Sequence, residues 1–258
     1  MSMTIAVTGK GGVGRTALSS LMVQWLVKHR RSPVLAVDAD SNANLHEALG
    51  VDYEAAVGGI REYAHDEEQD LDGIARNDFL DLRIQEALVE ADGYDLIVMG
   101  RPEGPDCYCF ASQVLRDVIK KLSAKYKYVI IDSEAGTEHI SHRTEMPLDW
   151  LIIVSDCTVK GIRTAKKIAE AAKEMHASAV EIGLVINLAA DEIVPKAVQD
   201  EIDVAGLHLI AVIPTDENVA AMDAGGMPVG GLPADSPSRK AVGKLMEKLL
   251  DKPSVAQT

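Results

Sequence analysis

Near the start of the chain, Gly9 to Thr16 read G-K-G-G-V-G-R-T, between an apolar run at Met3–Thr8 and a helix-like run at Thr16–His29. A glycine-rich turn between a strand and a helix lets successive backbone N–H groups face an anion, because no Cβ stands in the way. The helix behind it adds the positive end of its dipole. The segment therefore predicts a phosphate-binding loop made by Gly9, Lys10, Gly11, Gly12, Val13, Gly14, Arg15, Thr16 and Ala17. Thr16 puts a hydroxyl where a Mg2+ ion on the phosphates would sit.

The rest of the chain repeats the alternation. Apolar, β-rich runs lie at Met3–Thr8, Pro33–Val37, Tyr94–Met99, Tyr128–Ile131, Trp150–Val154, Ile182–Ile186 and Leu209–Ile213. Helix-like stretches lie at Thr16–His29, Ser112–Tyr126, Gly161–His176 and Ser236–Leu250. Most strand runs are continuous rather than alternating, the pattern of strands buried on both faces. Aromatic residues make up 4% of the chain, so Ala, Val, Ile and Leu must fill the interior. The expected fold is α/β, a mostly parallel sheet of about seven strands with helices on both faces. One nucleotide-binding domain is expected over 1–251, with 252–258 as a frayed tail. The acidic stretch Arg61–Asp81 fits a solvated helix or loop, or a partner-docking surface.

Two ligands suit the glycine turn. Gly9, Gly11 and Gly14 satisfy G-x-G-x-x-G, with Asp38 or Asp40 downstream, as a dinucleotide site requires. The Thr16 hydroxyl favours a nucleoside triphosphate instead. So does "YVIIDSEAG", where Asp132 ends an apolar run and Gly136 follows, as expected of a Walker B aspartate and a switch loop.

With Lys10 early in the loop, "GKGGVGRT" resembles the deviant Walker A motif of the partition and septum-site ATPases and the nitrogenase iron protein. The resemblance runs from Met3 to about Leu250. It implies a P-loop NTPase that hydrolyses ATP to ADP and phosphate with Mg2+, as a homodimer in which Lys10 reaches the partner's phosphates. It also implies that Asp40, in "VDADSNANL", orients the attacking water and that Asn187 meets the adenine. Pro214, Thr215 and Asp216, in "VIPTDENV", would flank the base. Catalysis would then rest on Lys10, Asp40 and Asp132. Arg15 departs from the family's lysine at that position. Its wide planar fork replaces a compact charge, so hydrolysis is expected to be slow.

"GRPEGPDCYCF" carries Cys107 and Cys109, thiolates of the kind that hold Ni2+ or Zn2+. Two ligands do not complete a four-coordinate site, but two copies related by a two-fold axis supply four sulfurs. This segment resembles the nickel-insertion accessory ATPases, CooC type, that mature carbon monoxide dehydrogenase, and a relative that serves acetyl-CoA synthase. The resemblance implies an ATP-dependent metallochaperone with a client nickel enzyme as partner. Cys157 fits a small packing residue, and His139 and His142 fit surface or switch positions.

The formal charge of -14 opposes binding to nucleic acid and to anionic lipid. No apolar run nears the ~20 residues that span a bilayer. The apolar stripe of Lys240–Lys252 is expected to pack on the sheet. Three cysteines without a disulfide framework, and no leader-like start, suggest a cytoplasmic protein. A positioning ATPase and a nucleotide-binding regulator without turnover are the alternatives.

Overall fold

The computed structural model describes residues 2–57, 84–100, 118–134, 148–175 and 181–251, with Leu82 and Leu115 besides. Among the described residues eight strands form one sheet: β1 (Met3–Gly9), β2 (Val34–Ala39), β3 (Leu88–Ala91), β4 (Tyr94–Val98), β5 (Tyr128–Ser133), β6 (Trp150–Asp156), β7 (Glu181–Ala189) and β8 (Leu209–Pro214). Their order is β3-β4-β2-β5-β1-β6-β7-β8. All pairs are parallel except β3 with β4. Among the described residues the helices are α1 (Arg15–Lys28), α2 (Leu45–Leu49), α3 (Val159–Met175), α4 (Lys196–Ala205), α5 (Glu217–Ala224) and α6 (Pro237–Asp251), with further helical segments at 84–87 and 118–123.

Continuous apolar runs produce this sheet because both faces are covered. Every residue of β2 and of β5 is buried. Alternate residues feed two cores. Ile5, Val7 and Ile130 pack with Leu18, Met22 and Leu26 of α1 and with Leu245, Met246 and Leu249 of α6. Ala6, Val129 and Ile131 pack with Ile162, Ala165 and Ala169 of α3, with Val118, Ile119 and Leu122, and with Val198 and Ile202 of α4. The stripe of α6 is therefore core, as expected. Among the described residues no helix is long and apolar enough to cross a membrane.

The sheet has one strand more than the expected seven. The addition, β3, is four residues long and returns directly into β4 through Asp92 and Gly93. Gly93 takes a φ of 87°, and a Cβ there would stand 2.7 Å from Val27 Cγ1. An Asp-Gly pair between two β-rich runs is itself a hairpin signal. Three short helices, α2, α4 and α5, also lay outside the expected set. The acidic stretch at 61–81 and the tail at 252–258 fall outside the described residues.

Candidate functional site

Parallel register aligns the ends of three central strands. Val7 of β1 pairs with Asp132 of β5, and Asp132 pairs with Asp38 of β2. Asp132 lies two residues beyond Ile130, which faces α1, so its carboxylate points to the same side. The chain leaves β1 at Gly9, turns through Gly11, Gly12 and Gly14, and enters α1 at Arg15. Gly14 adopts φ 83° and ψ 29° at the start of the helix, a conformation that glycine takes at little steric cost. Lys10, Gly11 and Gly12 are exposed, whereas Val13 is buried.

Carboxylates converge beside this loop. Asp38, Asp40 and Asp132 are all buried. Asp38 accepts hydrogen bonds from the backbone N–H of Leu45 (2.8 Å) and of Asp40 (3.1 Å). Asp40 accepts from the backbone N–H of Asn42 at 2.9 Å and from its Nδ2 at 3.1 Å. The Nδ2 of Asn42 also reaches Glu134 Oε1 at 3.3 Å. Arg15 brings a cation into the cluster: its Nη2 stands 3.2 Å from Asp40 Oδ2, and its Nη1 donates to the Ser133 carbonyl.

Asp132 Oδ1 is buried without a hydrogen-bond partner. Burial pushes this carboxyl up to about 6, while the Thr16 hydroxyl, the Arg15 charge and the Ser19 hydroxyl pull it down and the Asp40 charge raises it. An orphaned carboxylate oxygen next to a threonine hydroxyl, at the start of a helix behind a phosphate loop, suits a hard divalent cation such as Mg2+. Glu134 is likewise raised, first by burial and then by Asp40.

Asp38 carries the stronger shift. Burial lifts it to about 7, with Asp132 and Asp40 adding repulsion and the two amides opposing. Its folded value lies above the ordinary 3.8, so the protonated form favours the fold. That contribution is complete below the ordinary value and is lost as pH rises through about 7. The nucleotide-free protein should therefore be less stable at about pH 8 than at about pH 5.5, by ~2 kcal/mol from this group. Thermal melts across that range should show the loss, and Asp38→Asn should remove this group's share of it, leaving the smaller share of Asp132.

On the other flank, Asn187 is buried and its Nδ2 donates to the Val13 carbonyl at 2.8 Å. A Cβ on Gly14 would stand 2.4 Å from that Nδ2, so loop and amide are packed together. Pro214 pairs with Ala189, and the Thr215 N–H donates to the Ala189 carbonyl at 3.0 Å, which brings the late loop beside Asn187. The Asp216 carboxylate is engaged elsewhere. It accepts from the N–H (3.0 Å) and Nδ2 of Asn218 at the start of α5, and from Ser236 Oγ (2.6 Å) and Ser238 N–H (3.2 Å) at the start of α6. These bonds hold its pKa below the ordinary value against the effect of burial.

The sequence profile of the AAA domain family, AAA_31, matches residues 2–184. The chain belongs to this family of P-loop ATPases. An ATP-binding protein of Methanocaldococcus jannaschii is 40% identical to this ATPase over 253 residues, 97% of this chain and 99% of the relative. The carbon monoxide dehydrogenase accessory protein CooC of Rhodospirillum rubrum is 29% identical over 248 residues, 87% of this chain and 88% of CooC. Among solved structures, the cell division ATPase MinD of Pyrococcus furiosus superposes with a TM-score of 0.71 at 25% identity, covering 97% of this chain and 99% of MinD. The MinD of Pyrococcus horikoshii OT3, complexed with Mg-ADP, gives 0.72 at 23% identity, covering 98% of this chain and 97% of that one.

The ATPase fold thus gathers Thr16, Asp40, Asp132 and Asn187 around one loop, with Asp38, Glu134, Ser133 and Ser19 beside them. Glu134, one residue past the end of β5, lies in the same "YVIIDSEAG" segment as Asp132, which is the signal that points to it. Cys107 and Cys109 lie outside the described residues, as do Gly136, His139 and His142. Cys157 is half-buried, 3.8 Å from the Ile193 carbonyl, and burial raises its thiol. Among the described residues no group of three His, Cys, Asp or Glu side chains is placed to hold a metal ion.

Proposed function

We propose that this ATPase is a nucleotide-switched metallochaperone of the cytoplasm. ATP with Mg2+ occupies the loop Gly9–Ala17. Thr16 and Asp132 hold the ion, which neutralises phosphate charge. Asp40 positions water, and Lys10 reaches the phosphates of a second subunit. Asn187, Pro214 and Thr215 border the base; Asp216 acts there through its backbone, its carboxylate being committed to two helix starts. The guanidinium of Arg15 slows hydrolysis to ADP and phosphate. Closure of the dimer brings two copies of Cys107 and Cys109 together to hold Ni2+ or Zn2+ for a client such as carbon monoxide dehydrogenase or acetyl-CoA synthase. The observation that carries this reading is the Cys-x-Cys pair in a chain that aligns with CooC over most of both lengths.

Anaerobic titration of the full chain with Ni2+ tests it. The expected stoichiometry is roughly one ion per two chains, with a thiolate-to-metal absorption band. Both Cys107→Ser and Cys109→Ser should abolish the band; undiminished binding in either would remove the metal-carrier role. A positioning ATPase is the competing reading, favoured by the likeness to MinD. The charge of -14 and the buried stripe of α6 weigh against it.

A further inference from the structure

Arg15 makes a pair of contacts that suits a planar guanidinium better than an ammonium. Its two terminal nitrogens serve different segments: Nη1 holds the Ser133 carbonyl at the end of β5, and Nη2 holds Asp40 after β2. The Arg15 and Asp40 side chains are 10% and 7% exposed, so the pair is shielded from water and salt. A lysine ends in one nitrogen and presents a point charge, whereas the guanidinium spreads its donors across a rigid plane. One side chain of the phosphate loop thereby ties together the loop, the Walker B strand and the turn after β2. Asp40 in turn fixes Asn42 through two hydrogen bonds, so the ion pair anchors residues 40–42.

Charge dictates this arrangement. Asp38, Asp40, Asp132 and Glu134 crowd one corner, and the Arg15 cation offsets the repulsion at Asp132 and at Glu134. A nucleotide brings further negative charge to the same corner and competes for the same guanidinium. ATP, with one more phosphate than ADP, is the stronger competitor.

We propose that Arg15 is a partner-exchanging positioning residue. In the nucleotide-free ATPase it restrains Asp40, and a triphosphate binds by drawing the guanidinium away from Asp40 and so releasing the turn at 40–42. The exchange rests on the nucleotide-binding reading above. The restraint itself does not, because it belongs to the nucleotide-free chain.

Two measurements on the full chain test the proposal. In amide hydrogen exchange without nucleotide, Arg15→Lys and Arg15→Gln should each speed exchange at the Asn42 N–H by about fivefold or more. Ala36, inside β2, should keep wild-type protection and so report an intact fold. In calorimetric titration with a non-hydrolysable ATP analogue and Mg2+, Asp40→Asn should tighten binding in the wild-type background. That gain should exceed the gain in the Arg15→Gln background by about threefold or more, and the excess should shrink for ADP. A purely structural Arg15 would give equal gains in both backgrounds, and equal gains would overturn the exchange. Unchanged Asn42 exchange in both variants would overturn the restraint. A wild-type chain that binds no nucleotide would overturn the nucleotide reading and the exchange together, while the Asn42 rates would still report on the restraint.

Discussion

Gly9→Ala should lower the melting temperature by roughly 6–12 °C, the shift that about 3 kcal/mol produces in a chain of this size. Gly9 ends β1, with β5 on one side and β6 on the other, and takes a φ of 152°. A Cβ built there would lie 2.2 Å from the Val154 carbonyl oxygen and 3.1 Å from its carbon. Both are backbone atoms of β6, which is itself hydrogen-bonded to β7. No rotamer change can relieve the clash, so the sheet must part exactly where it supports the phosphate loop. Gly11 is the control, because nothing lies within 4 Å of a Cβ there. Gly11→Ala should stay within ~0.5 kcal/mol of the wild type, as a surface substitution does. Thermal melts of the three proteins decide the matter. A Gly9→Ala variant that melts with the wild type would show that the loop and β6 do not touch as described.

The central strands were readable because burial on both faces leaves a plain mark: VLAVDA and YVIIDS are apolar until the carboxylates at their ends. Asp132 was readable for the same reason, as a charge closing a buried run. The edge strand β3 was harder. Its residues are partly exposed, Glu90 interrupts the run, and the Asp92-Gly93 turn is the better signal. Roles that depend on what a side chain touches across the fold were not legible at all. Nothing in "VIPTDENV" tells that Asp216 binds two helix starts about twenty positions apart in the chain. Likewise, nothing local to Arg15 tells that its fork spans Ser133 and Asp40, 118 and 25 residues away. Sequence patterns report burial and turn chemistry, which are local. They do not report which of several carboxylates a single cation will choose.

The second large effect is expected at Asp132, and its sign differs between stability and chemistry. The carboxyl is 1% exposed, one of its oxygens has no partner, and burial has raised it to about 6. Above that value it is ionised in the folded chain, and the fold bears the desolvation of the charge. Asp132→Asn keeps the shape and removes the charge. Near neutral pH the nucleotide-free variant should therefore be more stable than the wild type, by about 1–2 kcal/mol. Turnover should move the other way. If this oxygen helps to hold Mg2+ against the phosphates, its charge is needed where negative charge is being rearranged, and loss of such a group lowers kcat by about 100- to 1000-fold. The enhancement of ATP affinity by Mg2+ should fall with it, which gives a readout free of the slow chemistry. A residue kept for packing would lose stability on this substitution and leave turnover near that of the wild type. A buried charge kept for catalysis does the reverse, because the same exclusion of water that destabilises the carboxylate in the empty site strengthens its pull on a cation. Paired urea melts and Mg2+-dependent binding curves on the one variant separate the two cases, and a variant that is both less stable and fully active would exclude Asp132 from the reaction.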